Sequence, residues 1–209
     1  MKTTSTVARG IAATALTVAG TMTLTVPPAM AAEFPAPAAL AASGSLGRLG
    51  ALTDLVVERL RVGDDVAAAK FGTGSPIDDP AREEQVLNQV REQASALGLA
   101  PDAAAAFFRD QITASKVVQR GLFARWTAHP GQAPTTRPDL GEIRTQLDRL
   151  TTELLAQLKA TVDVRAGRIP CTVQLKLANG SAVVLDRLDA LHRQALGIAV
   201  HSVCAVSPA

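Results

Sequence analysis

Residues 139–158 read DLGEIRTQLDRLTTELLAQL, and their pattern decides the fold class. Leu140, Ile143, Leu147, Leu150, Leu154 and Leu158 recur at steps of three and four. That near-heptad stripe lies along one face of an α-helix and matches neither face of a strand. At its front Asp139 and Glu142 have the spacing of a capping box, in which each side chain can accept from the other's backbone N–H.

Upstream, the same logic repeats three times. A third helix is expected from Pro101, carrying Phe107, Phe108, Ile112, Val118, Leu122 and Trp126, until His129-Pro130-Gly131 ends it. A Pro/Thr-rich linker then runs to Pro138. A second begins at Asp79-Pro80, because Asp is a favoured N-cap and Pro loses nothing at the first helical position. Its stripe is Val86, Leu87, Val90, Ala94 and Leu97, and Gly98 closes it. The first should run from about Leu46 to Lys70 on Leu49, Leu52, Leu55, Val56 and Leu60. Gly63 weakens that helix without stopping it, and the stretch Gly72–Ser75 ends it.

Downstream of Arg168 two readings compete. Thr172–Leu177 alternates, Asn179-Gly180 is a strong hairpin turn, and Val183–Leu185 could return as a strand. Against that, Leu185, Leu188, Leu191, Ala195 and Ile198 continue a helical stripe toward Cys204. The expectation is two helices with a turn near Asn179, favoured in part by the resemblance given below.

The N-terminus is built for export. Lys2 and Arg9 precede an uncharged, mostly apolar run from Gly10 to Val26, and Ala29-Met30-Ala31 is a small-x-small cleavage signature. Residues 1–31 therefore read as a signal peptide, 32–45 as a flexible leader, 46–204 as one domain and 205–209 as a tail. Losing Lys2 and Arg9, with no acid among residues 1–31, takes the formal charge from +2 to zero. A neutral mature chain with one Trp and no Tyr argues against a nucleic-acid surface. The same neutrality weakens a lipid- or wall-binding role. His129, His192 and His201 show no ligand spacing, so no metal is expected.

Cys171 and Cys204 are an even pair in an exported chain, most simply a disulfide. Closing that loop is worth roughly 3–4 kcal/mol on the chain-entropy model. A thiol catalyst is the alternative, but neither Cys lies in a nucleophile motif.

Polar groups on the helices carry the functional reading. Arg59 and Lys70 are eleven residues apart, near three full turns, and project from one face. Ser115 and Gln119 share a face of the third helix. Arg82 and Glu83 occupy the first turn of the second, where free N–H groups favour an anion. Arg144 flanks the apolar stripe of the fourth. Taken singly, each could be a solvated surface group, and Asp79 no more than a cap.

Together they form a recognisable order: Arg59, Lys70, Pro76-Ile77-Asp78-Asp79-Pro80-Ala81-Arg82-Glu83, Phe107–Ile112, Ser115, Gln119, then Pro138-Asp139-Leu140 with Arg144. The chain resembles the helical chorismate mutases over nearly all of residues 46–204. With its export signal, extended C-terminal part and cysteine pair, it is most similar to their secreted subclass. The resemblance implies an all-α, single-domain bundle of about six helices, with the active site enclosed within one chain. It also implies a cofactor-free rearrangement of chorismate to prephenate, and a homodimer. By this carry-over Arg59 and Arg144 bind carboxylates, with Arg82 as a third cationic contact. Lys70 and Gln119 donate to the ether oxygen, Glu83 accepts from the ring hydroxyl, Ser115 assists at a carboxylate and Asp79 orients the site. Val86 stands where some members carry a further polar group and is left out. The rival reading is an exported helical binding protein that catalyses nothing.

Overall fold

A computed structural model describes residues 44–204; the expected signal peptide, most of the leader and the tail lie outside the described residues. Seven α-helices are present among them: α1 (Gly50–Lys70), α2 (Pro80–Ala96), α3 (Pro101–Ala128), α4 (Leu140–Ala160), α5 (Val162–Ala166), α6 (Arg168–Leu185) and α7 (Ala190–Ala199). A single 3-10 turn, Pro130–Gln132, sits in the linker after α3. The five-residue α5 is what takes the count past the expected six.

The long helices α1 and α3 form the centre. α1 packs on α3, α4, α6 and α7, while α3 also meets α2 and α7. One face of α1 buries Leu52, Val56, Leu60 and Ala67 with Phe107, Phe108, Val118 and Leu122 of α3. Another buries Val62 and Ala69 against Ile143 and Leu150 of α4. Burial of this kind stabilises by about 25 cal/mol for each Å² of apolar area removed from water.

Gly63 is explained by this crossing. A Cβ there would lie 3.4 Å from Ser115 Oγ and 3.6 Å from Val118. The missing side chain lets α1 and α3 approach closely where Ser115 projects. α1 ends at Phe71, whose ring meets Trp126 and Phe123 edge-on at 5.2 and 5.3 Å.

The caps follow the sequence with one exchange. Asp139 accepts from the N–H groups of Gly141 and Glu142 at 2.8 and 2.9 Å. The return bond from Asp139 N–H to Glu142 is absent among the described residues. The two-way arrangement occurs instead at α2, where Arg82 N–H donates to Asp79 Oδ1 (3.0 Å) and Asp79 N–H to Glu83 Oε1 (3.3 Å).

The expected turn near Asn179 is not there. α6 runs unbroken through Asn179-Gly180, and the turn comes at residues 186–189, where Arg187 takes a left-handed φ of 51°. Tertiary contacts override the local turn signal. Cys171, Ala178 and Ala182 are fully buried on the inner face of α6. Gln174 Oε1 and Ser181 Oγ accept from the N–H groups of Arg48 and Leu46, both at 2.8 Å, tying α6 to the segment before α1. Because that segment, Leu46–Leu49, is occupied in this way, α1 starts at Gly50 and not at Leu46. The alternation that suggested a hairpin arises because Val173, Leu177 and Val184 are apolar but exposed.

Cys171 and Cys204 form a disulfide with a Cα–Cα distance of 5.7 Å, joining the first turn of α6 to the turn after α7. That turn is also fixed to α3: Ser202 N–H donates to Asp110 at 2.9 Å, and Gln111 Nε2 to the Ala199 carbonyl at 2.6 Å.

Candidate active site

A cavity of about 220 Å³ opens between α1, α2, α3 and α4, and all eight candidate residues line it: Arg59, Lys70, Asp79, Arg82, Glu83, Ser115, Gln119 and Arg144. Each helix delivers its groups by the spacing noted above. The connector from α1 to α2 adds Ile77 and, at the N-cap, Asp79.

Arg59 is the most constrained of them. It is 8 % exposed, its Nη1 donates to the Leu147 carbonyl (3.1 Å) and to Thr151 Oγ1 (3.4 Å), and its guanidinium lies 5.7 Å over the Phe108 ring. Burial pulls its pKa down to about 10, opposed by Asp148, so the group stays charged at neutral pH. Among the described residues its remaining N–H donors have no acceptor, a fixed planar fork with capacity for a carboxylate.

Lys70 Nζ donates to the Pro76 carbonyl at 2.9 Å. Desolvation lowers its pKa, against the pull of Asp79, Asp78 and Glu83 and with help from Arg144. Arg82 donates to Gln85 at 2.7 Å. Arg144 is exposed and has no hydrogen-bond or ion-pair partner among the described residues, which leaves its whole fork open to the cavity.

Gln119 is buried and its Nε2 donates to Ser115 Oγ at 3.1 Å, while Oε1 is buried without a partner. In this arrangement the second Nε2–H and the Ser115 hydroxyl both remain donors, as the carry-over requires. Glu83 is less free than expected: both its oxygens accept from Lys116 Nζ, at 3.1 and 3.0 Å.

Sequence reading missed four polar lining residues: Lys116, Asp148, Thr151 and Gln111. Thr151 and Asp148 had a signal, standing seven and four residues after Arg144 on the same helix face. Gln111 precedes Ser115 by one turn. Lys116 had none, since only the folded connector brings Asp78 and Glu83 to it. Five cationic and three carboxylate side chains then line the cavity, a surplus of two positive charges. Such a chamber suits a small dianion. No group of three metal-binding side chains occurs among the described residues.

Comparison with known proteins points the same way. The profile of the family described as chorismate mutase type II matches residues 50–120. The chain is 34 % identical to a secreted chorismate mutase of Mycobacterium tuberculosis, over 81 % of this chain and 84 % of that one. It is 35 % identical to a secreted chorismate mutase of Mycolicibacterium smegmatis, over 73 % and 84 %. A crystal structure of chorismate mutase from Burkholderia thailandensis superposes with a TM-score of 0.71 at 38 % identity, covering 75 % of this chain and 99 % of that one.

Proposed function

The chain belongs to the type II chorismate mutase family, and from that premise we propose how its cavity carries out the rearrangement of chorismate to prephenate outside the cytoplasm. The carrying observation is that all eight side chains, drawn from four helices and one connector, line a single cavity.

Chorismate is a dianion that must fold into a chair-like conformer before one C–O bond breaks and one C–C bond forms. Arg59 and Arg144 hold the two carboxylates, with Arg82 as a further cationic contact and the Ser115 hydroxyl assisting. Fixing both ends brings the reacting carbons together and removes much of the entropic barrier. Lys70 and Gln119 donate to the ether oxygen, where charge develops as its bond to carbon lengthens. Glu83 accepts from the ring hydroxyl, and Asp79 orients the start of α2. With one of its three donors on the Pro76 carbonyl, the Lys70 ammonium keeps two for the substrate oxygen, so it can hold the connector and the substrate together.

Export is read from the N-terminal signal and agrees with the disulfide, a bond that persists in oxidising compartments. Among the described residues no helix is long and apolar enough to cross a membrane. The homodimer implied by the family resemblance is part of this proposal, and sedimentation of the purified mature protein tests it. Activity is tested directly by following chorismate absorbance after mixing with that protein. Loss of absorbance with prephenate as the product supports the reading, and unchanged chorismate overturns it.

A further inference from the structure

Lys116 belongs to none of the roles above, yet it lines the cavity and meets two carboxylates. Its Nζ lies 3.0 Å from Glu83 Oε2, 3.1 Å from Glu83 Oε1 and 3.3 Å from Asp78 Oδ1, with the side chain 20 % exposed. Asp78 is held independently by Arg120, whose Nη2 donates to both its oxygens at 2.8 and 2.7 Å. The connector therefore stays fastened to α3 without Lys116. That leaves the contact with Glu83 as the one for which Lys116 has no substitute.

The two oxygens of Glu83 are not equivalent. Oε1 accepts from Lys116 and also from Asp79 N–H at 3.3 Å, whereas Oε2 accepts from Lys116 alone. A carboxylate oxygen has about two lone-pair sites, so Oε2 retains one open acceptor. An ammonium bridging both oxygens fixes the plane of the carboxylate and hence the direction of that site. It also offsets the charge of Glu83, which would otherwise repel a dianion.

We propose that Lys116 is a positioning residue that presents Glu83 Oε2 to the ring hydroxyl, and so sets the preference for a hydroxylated substrate. This rests on the assignment of Glu83 given above. Lys116 does not touch the reacting atoms; it acts through Glu83.

The test compares kcat/KM for chorismate with that for the analogue in which hydrogen replaces the ring hydroxyl. A hydrogen bond to a charged acceptor corresponds to a preference of about tenfold to a hundredfold for the hydroxylated substrate. Lys116→Met is expected to bring that ratio to within about threefold of one, mostly through KM for chorismate. Lys116→Arg should restore most of it, and Lys116→Gln is read in place of the Met variant if the latter does not fold. Equal losses on both substrates, or an intact ratio, overturn the proposal. Glu83→Leu separates the two layers of the argument. A wild-type ratio in Glu83→Leu overturns the Glu83 assignment and this one with it. Collapse there beside an intact ratio in Lys116→Met overturns the Lys116 assignment alone.

Discussion

His192 of α7 lies between two carboxylates, its Nε2 3.0 Å from Asp64 of α1 and its Nδ1 2.8 Å from Asp189 at the start of its own helix. Asp189 also faces Arg125 of α3 at 3.5 Å, so three helices meet at this cluster. The hydrogen bond to Asp64 pushes the His192 pKa up to about 8, with burial opposing and Asp189 adding to the rise.

A histidine whose pKa is higher folded than unfolded contributes stability that is complete below the unfolded value of about 6.5 and is lost as pH rises through the folded value. The urea midpoint is therefore expected to fall between about pH 6.5 and pH 9. The size should be about 1 kcal/mol, because the two carboxylates are 41 and 43 % exposed and solvent screens the pair. His192→Asn should flatten the slope. A wild-type midpoint that does not move across this window sinks the assignment.

Arg144→Ala is expected to cut kcat/KM by about a hundredfold or more, while the helical circular dichroism and melting temperature stay near wild type. Arg144 makes no hydrogen bond or ion pair among the described residues that its loss would break. Arg59→Ala should reduce activity as strongly but also lower stability, because its stem and head fill a buried site between α1 and α4. If both variants turn over chorismate within a few-fold of wild type, the carboxylate clamp is wrongly placed.

Lys70 predicts the alkaline side of the pH–rate profile. Desolvation lowers its pKa, so its charged form, the donor to the ether oxygen, is lost at a lower pH than for an ordinary lysine. The rate should decline correspondingly early in base, and Lys70→Arg, though less active, should push that decline to higher pH. Matching alkaline limbs in the two proteins would remove Lys70 from this role.

Gln119→Glu tests the other donor. The amide donates at any ordinary pH, but a carboxyl donates only while protonated. The variant is expected to be slow at neutral pH and to gain rate toward acid, whereas wild type should show no such acid activation. Its pKa would be raised by burial and lowered by Lys70, so the direction of the change is the readout. Superimposable acid limbs would show that position 119 does not donate to the reacting oxygen.

Reduction of the disulfide should act on stability before chemistry. Cys171 and Cys204 are 33 residues apart, and the Cys171→Ser/Cys204→Ser variant is expected to lose at most roughly 3–4 kcal/mol. Turnover well below its melting transition should remain within about threefold, since among the described residues the one hydrogen bond from the bridged segment to a cavity-lining side chain is that between Ala199 and Gln111. A larger loss of kcat with the fold intact would place that contact in the mechanism.

The core of the fold was legible wherever apolar periodicity ran long and unopposed. In α1 through α4 the stripes, stops and the Asp79 and Asp139 caps were all found near their expected places. α6 was harder because its exposed face is also apolar and a strong turn pair sits inside it. What holds it straight is the burial of Cys171, Ala178 and Ala182 and its hydrogen bonds to residues 46 and 48, none of which is local information. The site divides in the same way. Charges falling in register on helix faces could be read from spacing, whereas Lys116 joins Glu83 and Asp78 only once the connector has folded across α3.

With two cysteines, both in the bridge, the chain has a single intramolecular way to pair them. Oxidative maturation of this enzyme thus requires an electron acceptor but no disulfide isomerase, because there is no wrong intramolecular partner to undo. The choice is also made late relative to the bundle, since Cys204 follows all seven helices in chain order. The helical bundle must therefore emerge from the export channel before the second thiol arrives. Up to that moment Cys171 is a lone thiol, and crosslinking to another molecule is the side reaction that competes with maturation.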